Sequence, residues 1–243
     1  VSTVTVHVNP IPVADAGDDI DICEGESAIL QGIGSGAGPA YSFEWSPGDG
    51  LSSVTAQNPV ASPVLTTTYT LVTWSNNCPS YGDQVTVNVH TNPTISAGSD
   101  REICLGDSIM LDAQAGGDST ATSYTYNWWP ANGMSDATAE DPMVSPASTT
   151  MYYVETTSNY NCSSPVDSVL VTVRATPTAD AGDNQTICLG NDVQLAGGYY
   201  YTTSDTVLPS DIFYLWTPGA NMTDNTIPDP VATPMQSVWY YLD

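Results

Sequence analysis

A short acidic segment carrying one cysteine occurs three times in this chain. It reads AGDDIDICEGES from Ala16, AGSDREICLGDS from Ala97 and AGDNQTICLGND from Ala181. Carboxylates bind hard cations, and thiols bind soft metals, react with oxidants or form disulfides. The segment therefore admits four interpretations: a metal site, a redox centre, a structural staple, or a mark of domain boundaries.

The segment belongs to an internal repeat of just over 80 residues, because its copies begin 81 and 84 residues apart. A second motif recurs in the same order as FEWSPGDGLSS from Phe43, YNWWPANGMSD from Tyr126 and YLWTPGANMTD from Tyr214. A third recurs as DQVTVNV from Asp83, DSVLVTV from Asp167 and, near the start, TVTVHV from Thr3. We predict a last strand of a preceding repeat and its linker (1–12), repeat 1 (13–92), repeat 2 (93–176) and repeat 3 (177–243). Repeat 3 lacks its own last strand.

The pattern inside each repeat indicates β-structure. Runs such as YSFEW, TYTLVT and QVTVNV alternate apolar and polar residues, and clusters of Gly, Pro, Asn and Asp separate them. We predict an all-β fold of tandem β-sandwich domains, with proline-bearing linkers that hold them in a linear rod. One tryptophan of each repeat is predicted to fill its core: Trp45, Trp128 and Trp216.

The composition restricts the classes of partner. The chain has 27 acidic and 2 basic residues and a formal charge of −25, with no lysine. Such a charge repels nucleic acid and anionic membranes but attracts cations. No apolar run is long enough to span a membrane. Phosphate-binding loops, nucleophile elbows and histidine-centred constellations are missing, so we expect no enzyme.

The five cysteines are predicted to form disulfides inside each repeat. We pair Cys23 with Cys78 and Cys104 with Cys162, and expect the partner of Cys188 to lie outside this chain. A free reactive thiol at Cys188 is the rival interpretation. The cysteine spacing contains no CxxC pair, which argues against zinc. Disulfides indicate an oxidising, extracellular setting.

The recurring motifs resemble a known family. The AG-D-IC signature, the W-P-G turn, the NPVASP-like segment and the closing D-VTV strand are similar to immunoglobulin-like or PKD-type repeats of very long surface proteins of Bacteroidetes bacteria. Many of those proteins are adhesins linked to gliding motility and exported by the type IX secretion system. The resemblance implies that the β-sandwich domains are immunoglobulin-like or PKD-like. It also implies a stalk or spacer, placed at the cell surface or in a secreted fibre.

The resemblance also implies a modification. Bacteria of this group attach O-glycans at Asp-Ser/Thr-apolar triplets. Matching or near-matching triplets contain Ser108, Ser119, Ser168 and Thr206.

Calcium is the cofactor that the acidic segments favour, since hard cations take carboxylate and backbone oxygens. A cation at the boundary between repeats would stiffen the array. The alternative is that these acids are solvated or shape the turns. The candidate ligands are Asp15, Asp18, Asp19, Asp21, Asp100, Glu102, Asp180 and Asp183.

The sequence therefore predicts a structural repeat segment of a secreted bacterial surface adhesin, stalk or extracellular fibre. Two alternatives stay open. In the first alternative, the chain is a glycan- or protein-binding module of an adhesin, and the tyrosine-rich insertion from Tyr199 is the candidate binding site. Otherwise it is a filament subunit whose N-terminal strand completes repeat 3 of the next copy. The expected partners are neighbouring repeats, further copies of the chain, and surface glycans or proteins.

Overall fold

The chain folds entirely as β-structure. The computed structural model describes residues 2–36, 38, 40–201 and 212–243, and no helix occurs among them. That part of the chain therefore contains no helix that is long and apolar enough to cross a bilayer. The all-β prediction is confirmed.

Repeat 1 is a sandwich whose larger sheet has the order β2-β9-β7-β5, with β8 paired to the far end of β7. The pairs β1-β4 and β3-β6 form the other layer. The strands are β1 (Val13–Asp15), β2 (Ile20–Cys23), β3 (Ala28–Ile29), β4 (Ile33–Ser35), β5 (Ser42–Ser46), β6 (Val60–Ala61), β7 (Thr67–Ser75), β8 (Cys78–Pro79) and β9 (Asp83–His90).

Repeat 2 reproduces this topology. Its larger sheet has the order β11-β17-β16-β14, and the pairs β10-β13 and β12-β15 lie opposite. The strands are β10 (Thr94–Ser96), β11 (Arg101–Cys104), β12 (Ile109–Met110), β13 (Gln114–Gly116), β14 (Tyr124–Trp129), β15 (Met143–Val144), β16 (Thr150–Ser158) and β17 (Asp167–Arg174).

In repeats 1 and 2, the chain passes from one layer of the sandwich to the other at the Ala-Gly of the acidic segment. In repeat 1, β1 pairs with β4, and β2 then crosses over to pair in parallel with β9. Gly17 takes the left-handed φ of 82° at this crossing, a conformation that glycine adopts readily. The Ala16 amide donates to Asp83 Oδ2 at 2.8 Å, which ties the crossing to the start of β9. Repeat 2 has the same bond between Ala97 and Asp167.

The core tryptophans are confirmed. Trp45, Trp128 and Trp216 are at most 2% exposed. Each indole Nε1 donates to a backbone carbonyl, that of Ala56, Ala139 or Ile227. A buried indole N–H needs such a partner, so the same side-chain arrangement recurs in all three repeats.

Repeat 3 has both pairs of the smaller layer but only one pair of the larger sheet, β21-β23, which corresponds to β5-β7. Its described strands form three separate pairs, β18-β20, β19-β22 and β21-β23. The strands are β18 (Thr178–Asp180), β19 (Val193–Gln194), β20 (Gly198–Tyr200), β21 (Trp216–Thr217), β22 (Val231–Ala232) and β23 (Tyr241–Leu242). Among the described residues of repeat 3, no strand corresponds to β9 or β17.

Candidate interdomain junction

A disulfide joins repeat 1 to repeat 2. The sulfurs of Cys23 and Cys162 are 2.01 Å apart and the Cα atoms 5.5 Å apart, although the two residues are separated by 139 positions in sequence. Cys78, Cys104 and Cys188 are free thiols. The predicted pairs Cys23–Cys78 and Cys104–Cys162 are therefore wrong.

The parallel pairing of β2 explains this error. Cys23 lies opposite His90, at the end of β9. The β7–β8 hairpin that carries Cys78 lies beyond Asp83, at the start of β9. Seven residues of strand correspond to roughly 23 Å at 3.3 Å per residue, whereas a disulfide requires Cα atoms about 4.4–6.8 Å apart. The two cysteines of one repeat thus lie at opposite ends of the sheet, and Cys23 faces the next repeat.

The partner thiol is presented by a tight turn after β16. The Asn161 amide donates to the Ser158 carbonyl at 2.9 Å, and the Ser158 amide donates to the Cys162 carbonyl at 2.9 Å. Asn161 adopts a left-handed φ of 63°, which asparagine tolerates better than most residues. The turn directs Cys162 into the junction, where it is fully buried.

His90, the last residue of β9, is the centre of the contacts around this disulfide. Its ring stacks on Tyr160 of repeat 2, with centroids 3.5 Å apart and an interplanar angle of 12°. Its Nε2 lies 2.8 Å from Asp21 Oδ1 in repeat 1, and its Nδ1 lies 3.2 Å from Thr120 Oγ1 in repeat 2. The imidazole is buried and contacts both domains.

Asp118 supports Thr120 from the side of repeat 2. Its Oδ1 accepts the Thr120 hydroxyl at 2.6 Å and the Thr120 amide at 2.8 Å. Burial raises the pKa of Asp118, but the hydrogen bonds from Thr120 and the Ala121 amide, together with the nearby His90, outweigh it and hold that pKa below its ordinary value. A charged Asp118 therefore fixes the hydroxyl that meets His90.

The corresponding position in repeat 2 has a different, open arrangement. Arg174 ends β17 as His90 ends β9, and its Nε lies 2.9 Å from Glu102 Oε1. The Arg174 and Glu102 side chains are about half exposed, and Cys104 beside them is exposed and free. An open pocket of about 670 Å³ lies here. The sequence offers one signal for these pairs: a basic residue or histidine closes the last strand, and an acid precedes the signature cysteine by two positions.

Four of the eight predicted calcium ligands accept hydrogen bonds from backbone amides. Asp19 and Asp100 accept the amides of Thr86 and Leu170 at 2.7 and 2.9 Å, which fastens the segment to the last strand of its repeat. Asp15 and Asp180 accept the amides of Gly17 and Gly182 two positions on, at 3.0 and 2.9 Å. These bonds form the turns of the Ala-Gly crossing.

The other candidate ligands are divided between ion pairs and solvent. Asp21 faces His90 and Glu102 faces Arg174. Asp18 and Asp183 are exposed. Among the described residues, no group of three or more acidic, histidine or cysteine side chains is arranged to hold a metal ion. Calcium binding stays a prediction.

The predicted glycosylation positions are accessible where the structure describes them. Ser108, Ser119 and Ser168 are exposed. Thr206 lies outside the described residues. Modification of these hydroxyls stays a prediction.

Comparison with known proteins agrees with this architecture. The family model "Ig-like domain CHU_C associated" matches residues 91–174, which cover nearly all of repeat 2. No curated protein matches the sequence of this chain. A three-domain I-band fragment of titin is similar in structure over 96% of this chain and 90% of that chain, with a TM-score of 0.54 at 13% identity. A variant of the same titin fragment with Glu-to-Ala substitutions gives a TM-score of 0.53, also at 13% identity.

These similarities establish the fold. The chain is a tandem array of immunoglobulin-like β-sandwich domains, and repeat 2 matches an immunoglobulin-like family directly. One disulfide connects the first two domains.

Proposed function

We propose that this chain is a structural segment of a secreted bacterial surface adhesin, in which tandem immunoglobulin-like domains form a stalk or an extracellular fibre. The observation that carries the proposal is the disulfide between Cys23 and Cys162, because it joins consecutive domains rather than stabilising one. A bond in that position serves a role in which adjoining domains keep a fixed arrangement. Disulfides persist in oxidising compartments, which supports an extracellular location.

The contacts around the disulfide support the same role. His90 joins Tyr160 and Thr120 of repeat 2 to Asp21 of repeat 1, so the domains are also held by a stacked ring pair and hydrogen bonds. The formal charge of −25 keeps such arrays apart from one another in solution. The resemblance of the repeats to those of Bacteroidetes adhesins supports a place on the bacterial surface.

Two measurements test this proposal. A compact domain of 243 residues would have a radius of gyration of about 18 Å, and we expect small-angle X-ray scattering of the monomeric chain to give a value well above this. We also expect an antibody against the chain to label intact cells of the source organism. Labelling only after lysis would contradict the proposed location. Specific binding on a glycan array would instead favour a glycan-binding module.

We also propose that calcium binds the acidic segments at the domain boundaries, supported by the absence of lysine and the density of carboxylates. Calcium is then expected to raise the melting temperature, and chelation to lower it again. A melting temperature that does not respond to either treatment would contradict calcium binding.

O-glycosylation at Ser108, Ser119, Ser168 and Thr206 is a proposal of the same kind. Intact-mass measurement of the protein from its natural source checks it. A mass equal to that of the bare chain would contradict it.

A further inference from the structure

The outer face of the larger sheet of repeat 2 carries a cluster of large apolar side chains. Successive side chains of a strand point to opposite faces of the sheet. The core side chains of β14, β16 and β17 are buried, so their neighbours along each strand point outward. We name four of these outward side chains the apolar patch: Trp129, Tyr153, Met151 and Leu170.

The strand register brings the members of the apolar patch together. Trp129 lies opposite Tyr153, and Met151 lies opposite Leu170. The rings of Trp129 and Tyr153 are nearly parallel, with centroids 5.8 Å apart and an interplanar angle of 17°. Tyr153 is 39% exposed and Met151 is 40% exposed. Single exposed apolar residues are ordinary, whereas a contiguous group of them marks a surface that a partner covers.

Repeat 1 has the same strands but carries polar side chains at all four positions. The equivalents of the apolar patch, in the order given above, are Ser46, Thr70, Thr68 and Thr86. These side chains bond to one another and to their neighbours. The Thr68 and Thr86 hydroxyls lie 3.1 Å apart, and Gln84 Nε2 donates to Thr70 Oγ1 at 3.3 Å. The fold therefore does not require apolar side chains here, and the apolar patch is a property of repeat 2 alone.

Charge indicates which kind of partner covers the apolar patch. Glu155 follows Tyr153 by two positions and so lies on the same face of β16. The exposed Asp100 accepts the Leu170 amide at 2.9 Å, at another edge of the patch. The formal charge of −25 repels a second copy of the chain, nucleic acid and anionic membranes. A cationic partner is complementary to this surface.

The side chains of the apolar patch suit a cation that is attached to an apolar stem. The faces of tryptophan and tyrosine rings attract guanidinium and ammonium groups, and tryptophan does so most strongly. Arginine and lysine also carry aliphatic stems that pack on apolar surface while the charged head reaches a carboxylate. Met151 and Leu170 offer that surface, and Glu155 offers the carboxylate.

We propose that the apolar patch of repeat 2 binds a protein segment that presents arginine or lysine beside apolar side chains. The cationic group contacts the rings of Trp129 and Tyr153, and Glu155 balances its charge. The apolar side chains of the partner cover Met151 and Leu170. This binding goes beyond the stalk function and does not depend on it. The shape of the monomer tests the stalk, whereas peptide binding tests the apolar patch.

Calorimetric titration with a defined peptide is the first experiment. The probe is a synthetic peptide that repeats Arg-Leu-Gly, added to the full chain with its disulfide intact. The chain is produced in a host that adds no O-glycans, because Ser168 lies opposite Tyr153. We expect binding that weakens as salt is added. A peptide that repeats Glu-Leu-Gly is the control and is expected not to bind.

A double variant separates the apolar patch from the overall charge. Trp129→Ser with Tyr153→Thr gives repeat 2 the residues that repeat 1 has at these positions, so the strands can accommodate them. Binding of the Arg-Leu-Gly peptide is expected to weaken by about fivefold or more, although the net charge is unchanged. The matched control is Trp74→Thr, which removes an outward tryptophan from the larger sheet of repeat 1 and is expected to bind like the parent.

A second pair of variants tests the carboxylate. Glu155→Gln is expected to weaken binding of the Arg-Leu-Gly peptide about twofold and to reduce its dependence on salt, since one charge near the rings is lost. Asp183→Asn removes the same charge from an exposed position of repeat 3 and is expected to bind like the parent.

Four results would overturn the proposal. The first is equal binding of the Arg-Leu-Gly and Glu-Leu-Gly peptides. The second is a double variant that binds the Arg-Leu-Gly peptide as strongly as Trp74→Thr, which would assign the binding to net charge alone. The third is binding of cellohexaose but not of the peptide, which would make the apolar patch a glycan site. The fourth is a dimer of the parent chain that the double variant abolishes, which would make a second copy the partner.

Discussion

Repeats 1 and 2 have the same arrangement of residues at the end of their last strand, which we call the exit of the repeat. The two exits differ in what contacts this arrangement. Each ends with a basic residue or histidine beside an acid and a signature cysteine, His90 with Asp21 and Cys23 in one, Arg174 with Glu102 and Cys104 in the other. At the first exit the turn of repeat 2 closes over this group, and the cysteine is bonded. At the second exit Cys104 is exposed.

This difference indicates that the exit is a surface onto which the following domain docks, and that it is not a complete site by itself. The strands place the acid, its histidine or arginine partner and the cysteine with the same register in both repeats. Burial and the disulfide come from the following domain. The acidic signature is thus one half of a junction, and the cysteine-bearing turn of the next repeat is the other half.

Of the changes that test this comparison, loss of the disulfide is expected to have the largest effect on the free energy of unfolding. In the chain-entropy model, closing a loop of this length stabilises by roughly 5 kcal/mol. Cys23→Ser should therefore lower the free energy of unfolding of repeats 1 and 2 by up to about that amount, measured by denaturant unfolding without reductant. The matched control is Cys188→Ser, which removes a free thiol of the same signature and should change little. An unchanged Cys23→Ser variant would contradict the bond.

The stack of Tyr160 on His90 is expected to contribute less. Tyr160→Ala should destabilise the junction by about 1 kcal/mol. It should also speed the reduction of Cys23–Cys162 by dithiothreitol, since Tyr160 stacks on His90, which lies opposite Cys23. The control is Tyr153→Ala, which removes a ring stacked on Trp129 away from the junction. If both variants are reduced at the parent's rate, Tyr160 does not protect the bond.

The charge of Asp118 makes the first junction sensitive to acid. Its pKa is below the ordinary value of 3.8 in the folded protein, so its contribution is complete above that value and is lost as the pH falls through the lower, folded pKa. Asp118→Asn should therefore destabilise the protein at pH 7 and make less and less difference as the pH falls below 3.8, measured by thermal unfolding. Asp183→Asn, at an exposed carboxylate, serves as the control. A difference between parent and Asp118→Asn that does not change with pH would contradict this role.

The ion pair of the second exit is expected to matter least. Arg174 and Glu102 are about half exposed, and exposed pairs contribute about 0–1 kcal/mol. Arg174→Ala should change the free energy of unfolding by less than about 0.5 kcal/mol, and added salt should remove even that difference. A loss above 1 kcal/mol would mean that this exit is more ordered than the exposure of its side chains indicates.

The β-structure and the core tryptophans could be predicted because both follow from local pattern. Period-two alternation marks strands, and a tryptophan in the middle of such a strand has little choice but the core. Trp45, Trp128 and Trp216 are buried as expected.

The disulfide pairing could not be predicted because it depends on strand direction. The sequence IDIC does not reveal that β2 runs parallel to β9. That strand direction decides whether Cys23 lies near Cys78 or far from it. The turn before Cys162 held a further clue: SNYNC in repeat 2 is one residue longer than SNNC in repeat 1. The added residue is Tyr160, which stacks on His90.

The disulfide also changes how the chain would carry a mechanical load. Cys23 and Cys162 are the ends of a covalent shortcut across 139 positions of sequence. A pulling force applied at the two termini would pass through the sulfur atoms and bypass the backbone between them. Residues 24–161, which lie inside this ring, could then unfold without lengthening the molecule. At about 3.5 Å per residue, the ring contains roughly 480 Å of extended chain length, which cannot be drawn out until a reductant opens the disulfide.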